Sequence, residues 1–379
     1  MKKPPAWLFV NLADAFGGHE VMMLRWMQEL EKQKLARVVL LCIKGTRLAS
    51  LAREFCVVKE VELPPIQKSR PQRARALATV VFALATLRLR YRPALAVIAE
   101  GCLMAQEHSL NGARKVGLKT LLYVPLTASF AEMGFSDAVE MDQETRQRYA
   151  KWPDKWVVLT EGQAKELREW THCQQPILVL PNTVAQRIAD RPLRDQAAPH
   201  APAQPCKVLI LGRIDFFQKG IDQVLQHLSQ HPEDAGGCRI SIIGEGRDTP
   251  KVNEALAKHP HLKDIITVRP WADSEEAIAE HDVLLLPSRF EGVPLVMLEA
   301  MAMQRPVIAT RLPGTQPYLM DEALSEVGDM SALFANLRAV ASNPERYQAQ
   351  AQANRRMFEQ HASPAAFAQA VLKISKQLA

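Results

Sequence analysis

Residues 284–303 read LLLPSRFEGVPLVMLEAMAM, and the order of residue types in this stretch decides the fold. The leucines that follow Asp282 form a short apolar run, of the length of a strand buried on both faces. Pro287-Ser288-Arg289-Phe290-Glu291-Gly292 is a turn. Pro294 then opens an apolar helix, because proline suits the first helical position, where its missing N–H is not needed. Two carboxylates punctuate the unit. Glu291 lies in the loop ahead of the helix, and Glu299 lies inside it, beside Leu298, Ala300 and Met301. A carboxylate in so apolar a helix needs a donor, from a neighbouring segment or from a ligand. A helix N-terminus beside a strand end is also a ready site for an anion.

The same alternation runs outward in both directions. Ahead of the stretch, Lys207–Leu211 and Arg239–Ile243 read as strands, the second ending at Gly244-Glu245-Gly246, and Ile265–Val268 as a third with Trp271 in the loop beyond it. Gly212–Gly220 is a loop holding Arg213 and Lys219, and Ile221–Leu228 and Glu275–Glu280 are helices. Behind it, Pro306–Thr310 is a strand, and helices fill most of the chain from Ser331, the last being amphipathic Pro364–Leu378. Residues 186–205, rich in Pro and Ala and poor in large apolar residues, read as a linker. Upstream, Ala6–Leu12, Arg37–Ile43, Val57–Leu63, Ala94–Ala99, Lys119–Val124, Trp156–Thr160 and Ile177–Leu180 read as strands. Met23, Trp26, Met27 and Leu30 recur at helical spacing after Gly17-Gly18, and Cys102–Gly117 and Glu161–Trp170 also read as helices. Strands and helices in this alternation imply parallel sheets covered on both faces. The boundaries follow: 1–185, the linker 186–205, 206–360, and a final helix in 361–379.

Charge and composition narrow the setting. The 379 residues carry a net +6, but residues 1–199 hold 29 Lys and Arg against 20 Asp and Glu, so the first half is basic and the remainder slightly acidic. An anionic surface would meet the first half. Lys68–Arg92 has basic residues and no acid around an apolar middle, Ala76–Leu87, far short of the ~20 residues that span a bilayer. It reads either as a crossover helix packed on a sheet or as a basic, partly apolar face for an anionic membrane, and the two are compatible. Cys42, Cys56, Cys102, Cys173, Cys206 and Cys238 show no metal-ligand spacing and read as reduced thiols. The N-terminal apolar run, Trp7–Leu12, is too short for a signal peptide and Asp14 interrupts it, so the expected location is cytoplasmic.

The unusual residues collect at strand ends: Gly17-Gly18, Arg213, Lys219 and Glu291. In open parallel sheets ligands bind at the carboxyl ends of strands. A diphosphate needs amides and cations, whereas a sugar or ribose needs carboxylate acceptors. At this point the second half resembles the family 4 retaining glycosyltransferases. The segments that carry the resemblance are Gly212-Arg213-Ile214-Asp215-Phe216-Phe217-Gln218-Lys219-Gly220, Ile243-Gly244-Glu245-Gly246, and Pro287-Ser288 through Glu291 to Glu299-Ala300-Met301, where Glu291 and Glu299 match the E-x7-E motif. The resemblance is clear over about residues 206–320.

It implies an α/β GT-B fold, two Rossmann-like domains facing each other across a cleft, with the last helix returning to the first domain. It implies that Arg213 and Lys219 neutralise a diphosphate as the bond to the sugar breaks. Gly17 and Gly18 let the backbone approach the same phosphates. Glu291 binds hydroxyls of the donor sugar, and Glu299 holds the ribose. Amides around Gly292, Val293, Leu295 and Val296 face sugar or phosphate, and Trp271 lies near the base. No D-x-D occurs, which fits the family's independence of a divalent metal, and no cofactor is expected. The chain departs from the family where many members carry a histidine after the strand Leu121–Val124. Pro125 stands there, and Thr127, Ser129 or His19 would have to substitute. Pro294 and Gln304 replace glycines common in the family. His19 could otherwise merely cap its helix, and Glu107-His108 reads as helix surface.

The expected activity is transfer of a sugar from a nucleoside diphosphate, UDP ahead of GDP, to a growing surface glycan or lipopolysaccharide-type acceptor, possibly lipid-linked. That places the protein on the inner face of the membrane, in peripheral contact through Lys68–Arg92. The alternatives are a nucleotide-sugar epimerase on the same fold and a non-catalytic glycan-binding module. Nucleic-acid binding is disfavoured, because Lys68–Arg92 lacks interleaved stacking aromatics.

Overall fold

The computed structural model describes residues 3–63, 70–99, 101, 103, 107–192 and 205–378. It divides into two compact units, one of residues 1–181 with 368–379 and one of residues 182–367. Lys68, Cys102 and most of the Pro/Ala-rich segment lie outside the described residues, as does the side chain of Arg70.

In chain order the first unit contains β1 (Ala6–Asn11), α1 (Gly18–Lys32), β2 (Arg37–Ile43), α2 (Arg47–Ala52), β3 (Val57–Val61), α3 (Arg70–Tyr91), β4 (Leu95–Ala99), α4 (Glu107–Lys115), β5 (Thr120–Tyr123), α5 (Ala138–Gln147), β6 (Lys155–Val158), α6 (Glu161–Thr171) and β7 (Ile177–Val179). Its sheet is parallel, in the order β3-β2-β1-β4-β5-β6-β7. Period-two alternation sorts β1 between two cores. Leu8 and Val10 face Val80 and Leu84 of α3 and Leu110 and Ala113 of α4. Trp7 and Phe9 face the other way and meet Trp26 of α1 edge-on, at centroid separations of 6.4 and 5.3 Å. Met23, Trp26, Met27 and Leu30 are all fully buried, as their spacing predicts.

The second unit contains α7 (Gln186–Ala189), β8 (Lys207–Leu211), α8 (Phe216–Lys219), α9 (Ile221–Gln230), β9 (Arg239–Ile243), α10 (Thr249–Lys258), β10 (Ile266–Arg269), α11 (Ser274–Glu280), β11 (Val283–Leu286), α12 (Leu295–Ala302), β12 (Val307–Thr310), β13 (Leu324–Ser325), α13 (Met330–Ala341) and α14 (Pro344–His361). Its sheet is again parallel, in the order β10-β9-β8-β11-β12-β13. The final helix, α15 (Pro364–Leu378), begins in this unit and ends in the first. There Gln33 donates to the Ala368 carbonyl at 2.9 Å and Lys155 to that of Gln377 at 3.2 Å.

Three local details differ from the sequence pattern. The segment 182–192, placed above at the end of the first domain and in the linker, belongs to the second unit. Its helix α7 is tied there by Arg187 and Arg191, which both pair with Glu275. Gly212–Gly220 is not loop throughout, because Asp215 caps the single turn α8 by accepting from the Gln218 amide at 3.1 Å. Pro294 is the extended residue just before α12, which starts at Leu295. The crossover reading of α3 holds for its inner face: Ala76, Val80, Leu84 and Leu87 are buried.

The first core depends on Trp26, the largest fully buried side chain of α1. Trp26→Ala is expected to cost about 3–5 kcal/mol, the usual loss for a buried large aromatic. Urea denaturation should show this as a lower midpoint at an unchanged slope.

Candidate active site

Each sheet reverses its winding once. In the second unit the reversal falls between β8 and β11, so the loops leaving those strands diverge and open a crevice at their carboxyl ends. Those two loops hold the charged residues singled out by the sequence. Leu211, Gly212, Arg213, Lys219, Pro287 and Ser288 line an open pocket.

The loops are locked to each other. Gly220 closes α8 with φ +67°, and a Cβ on it would stand 2.1 Å from the Pro287 carbonyl oxygen, so only glycine lets the two loops approach this closely. Arg289 grips Asp222 of α9 with both guanidinium nitrogens, at 2.8 and 2.7 Å, and its amide donates to the Gln218 carbonyl at 2.8 Å. The Ser288 carbonyl accepts from the Thr310 hydroxyl at 2.6 Å. This bracing brings the Lys219 ammonium to 2.5 Å from one carboxylate oxygen of Glu291, and the Ser288 hydroxyl donates to the same oxygen at 2.9 Å. The Glu291 side chain is only 8% exposed and that of Lys219 20%, so the pair is largely desolvated. Arg213 is 64% exposed; it donates to Gln218 at 2.8 Å, and its Nε lies 4.0 Å from Asp215. Most of its guanidinium therefore faces the open side of the pocket.

Beyond Glu291 the chain makes its tightest approach. A Cβ on Gly314 would stand 1.5 Å from the Gly292 carbonyl oxygen, which fixes the loop after β12 against the loop after β11. The Val293 carbonyl accepts from Asn182 at 2.9 Å. Because Pro294 precedes the helix, the amide it removes lies outside the first turn, and Leu295 and Val296 keep theirs. Glu299 is buried on α12, and Trp271 is 72% exposed in the loop after β10.

The first unit contributes a separate set of residues at the carboxyl edge of its own sheet. The Gly17 amide donates to the Glu20 carboxylate at 2.8 Å, and the Asn11 side chain donates to the other oxygen of Glu20 at 3.3 Å. The Gly17 amide is thus already engaged, and Gly18 begins α1. His19 stacks on Tyr123 at 5.1 Å, and neither of its ring nitrogens has a hydrogen-bond partner among the described residues. Burial pushes its imidazole below its ordinary range, towards the neutral form. The other two candidates for the missing histidine are committed elsewhere. The Thr127 hydroxyl donates to Glu166, and that of Ser129 donates to Glu132 at 2.9 Å. Glu107 and His108 lie in the first turn of α4.

The sequence pattern carries no signal for Asn182, for the Arg289–Asp222 brace or for Glu166. Asn182 follows a strand and a proline, as surface turns often do. Only the fold shows that its amide reaches the Glu291 loop.

Comparison with known proteins now defines the class. Residues 205–343 match the family model "Glycosyl transferases group 1". The lipopolysaccharide glucosyltransferase WaaG of Escherichia coli is 31% identical over 108 residues, 28% of this chain and 29% of that protein. The curated relatives are matched over about a third to just over half of their own length. Among solved structures, sucrose-phosphate synthase from Thermosynechococcus elongatus superposes with a TM-score of 0.79 at 17% identity, covering 99% of both chains. Anabaena HepE in complex with UDP-glucose gives 0.77 at 13% identity, over 98% of this chain and 100% of that one. The architecture is therefore the GT-B fold. The segment that holds Arg213, Lys219, Glu291 and Glu299 is the part of the chain that matches the group 1 glycosyltransferase model, and the family 4 resemblance falls within it.

Burial pushes the Glu166 carboxyl up to about 7, against the hydroxyl of Thr127 and with Glu132 and Glu169 adding like charge. The folded state thus favours protonated Glu166. The stability this confers is complete below the ordinary carboxylate range and is lost as pH rises through about 7. Glu166→Gln fixes the neutral form and still accepts from Thr127. It should stabilise the protein at pH 8 by roughly 1–3 kcal/mol and flatten the dependence of the urea midpoint on pH between about 5 and 8.

Proposed function

We propose that this protein is a retaining glycosyltransferase that moves a sugar from a nucleoside diphosphate to a growing surface glycan or lipopolysaccharide-type acceptor. The observation that carries this function is the meeting of Lys219 and Glu291, beside Arg213, at the switch point of a parallel sheet. A cation and a carboxylate in one crevice suit a ligand that is anionic at one end and rich in hydroxyls at the other. HepE, with its bound UDP-glucose, favours uridine as the base, and the name of the E. coli relative favours a lipopolysaccharide acceptor.

In this reaction the bond between the anomeric carbon and the diphosphate breaks, and its electron pair leaves with the phosphate. Arg213 and Lys219 take up the charge that develops there, so no divalent metal is required. Glu291 accepts from hydroxyls of the donor sugar and orients it, while Glu299 holds the ribose. The acceptor hydroxyl bonds to the anomeric carbon from the face the phosphate leaves, and its proton passes to the departing phosphate oxygen. No enzyme nucleophile is needed, and configuration is retained.

The acceptor side of the function includes a membrane surface. Arg75, Phe82 and Leu89 recur every seven residues on the outer face of α3, and Phe82 and Leu89 are 76% and 79% exposed. Arg73, Arg88 and Arg90 are exposed on the same helix. Exposed apolar side chains among arginines suit the headgroup region of an anionic bilayer. Among the described residues no helix is long and apolar enough to cross a membrane.

Lys219→Ala and Glu291→Ala should each lower turnover at least about 100-fold, the scale of a lost transition-state contact. Nucleotide release from a sugar-nucleotide panel measures this, and near wild-type rates in either variant would contradict the site. Conversion of a sugar nucleotide with no nucleotide released would instead indicate an epimerase. The variant Phe82→Ser/Leu89→Ser should lose most of its co-sedimentation with phosphatidylglycerol vesicles and keep its affinity for nucleotide. Unchanged vesicle binding would leave α3 with a packing role only.

A further inference from the structure

We infer that Glu291 is a specificity determinant that sets the site against nucleoside diphosphates lacking a sugar, by occupying Lys219 until a sugar displaces it. This rests on the function proposed above. The ammonium that would bind the diphosphate is already neutralised, 2.5 Å from a carboxylate that is itself nearly buried. The backbone on either side of the pair is fixed. Lys219 ends a capped turn, and Glu291 sits in a loop fixed by Arg289, Thr310 and the Gly292–Gly314 approach. Neither group can swing away without leaving its partner as an unpaired, desolvated charge.

A bare diphosphate must therefore share Lys219 with Glu291 and give the carboxylate nothing in return, while placing its own negative charge beside it. A sugar diphosphate brings its own compensation. Its hydroxyls donate to Glu291 as its phosphates accept from Lys219, so both members of the pair remain satisfied. The same logic acts on the product. Once the sugar has gone, Glu291 regains its claim on Lys219, and the nucleotide is expelled.

Isothermal titration with UDP and with GDP tests this on wild type, Glu291→Gln, Glu291→Asp, Lys219→Met and the Lys219→Met/Glu291→Gln double variant. Gln removes the charge, and Asp keeps it but withdraws it by one methylene, so the two release Lys219 by different routes. Both single variants at Glu291 should bind whichever nucleotide the wild type binds at least about tenfold more tightly. The gain should vanish when Lys219 is also replaced. Affinities within twofold of wild type in both Glu291 variants overturn the inference. So does a gain that persists without Lys219, which would assign the effect to simple removal of negative charge. If neither the wild type nor either Glu291 variant binds UDP or GDP, the proposed function is overturned, and this inference with it.

Discussion

An ion pair joins the tips of two diverging loops in the second unit. Lys219 and Glu291 come from loops that leave β8 and β11, the strands at which the sheet changes direction. Loops at such a point diverge, so their tips meet only if other interactions force them together. Glycine at 220 removes the atom that would strike Pro287. The Arg289–Asp222 grip crosses from the β11 loop to α9, and Thr310 holds Ser288 from the neighbouring strand. A charged pair this dry contributes little net stability, because its attraction is offset by the cost of desolvating both ions. Its position is the carboxyl edge of a parallel sheet, where open sheets of this kind bind ligands.

The fold was legible because parallel strands covered on both faces leave short, uninterrupted apolar runs. Leu8 to Val10, Val208 to Leu211 and Val283 to Leu286 are of this kind, and each is buried along its length. The spacing of Met23, Trp26, Met27 and Leu30 was equally plain, since all four fill one face of α1. The charged site was legible in part, because Arg213, Lys219 and Glu291 follow strand ends, where open parallel sheets bind ligands. The details that were not legible depend on contacts far apart in sequence. Asn182 reaches Val293 across 111 residues, and Arg289 reaches Asp222 across 67. Pro294 shows the limit of local rules. The same residue suits both the first helical position and the one before it, and the loop geometry selects the latter.

In the first unit most of the polar groups at the carboxyl edge are bound to one another. Glu20 ties Gly17 to Asn11, and Thr127 and Ser129 are taken by Glu166 and Glu132. His19 is the exception. It stacks on Tyr123, its ring nitrogens have no hydrogen-bond partner among the described residues, and burial pushes it towards the neutral form. A neutral imidazole can donate from one nitrogen and accept at the other, which suits a hydroxyl better than a phosphate. This separates it chemically from Arg213 and Lys219.

The ion pair also bears on how an empty site can persist. An arginine and a lysine that line one pocket repel each other. The protein relieves this unequally. Arg213, mostly exposed, is stabilised by water and by weak contacts to Asp215 and Gln218, whereas Lys219, mostly buried, has a full carboxylate. The buried cation needs the counter-charge because desolvation penalises it more. Glu291 thus answers two demands at once: it stabilises Lys219, and in the proposed function it receives hydroxyls of the sugar. A residue with only the second role could be any hydrogen-bond acceptor, and glutamine would serve. The first role requires a formal negative charge, and that is a physical reason for an acid at this position.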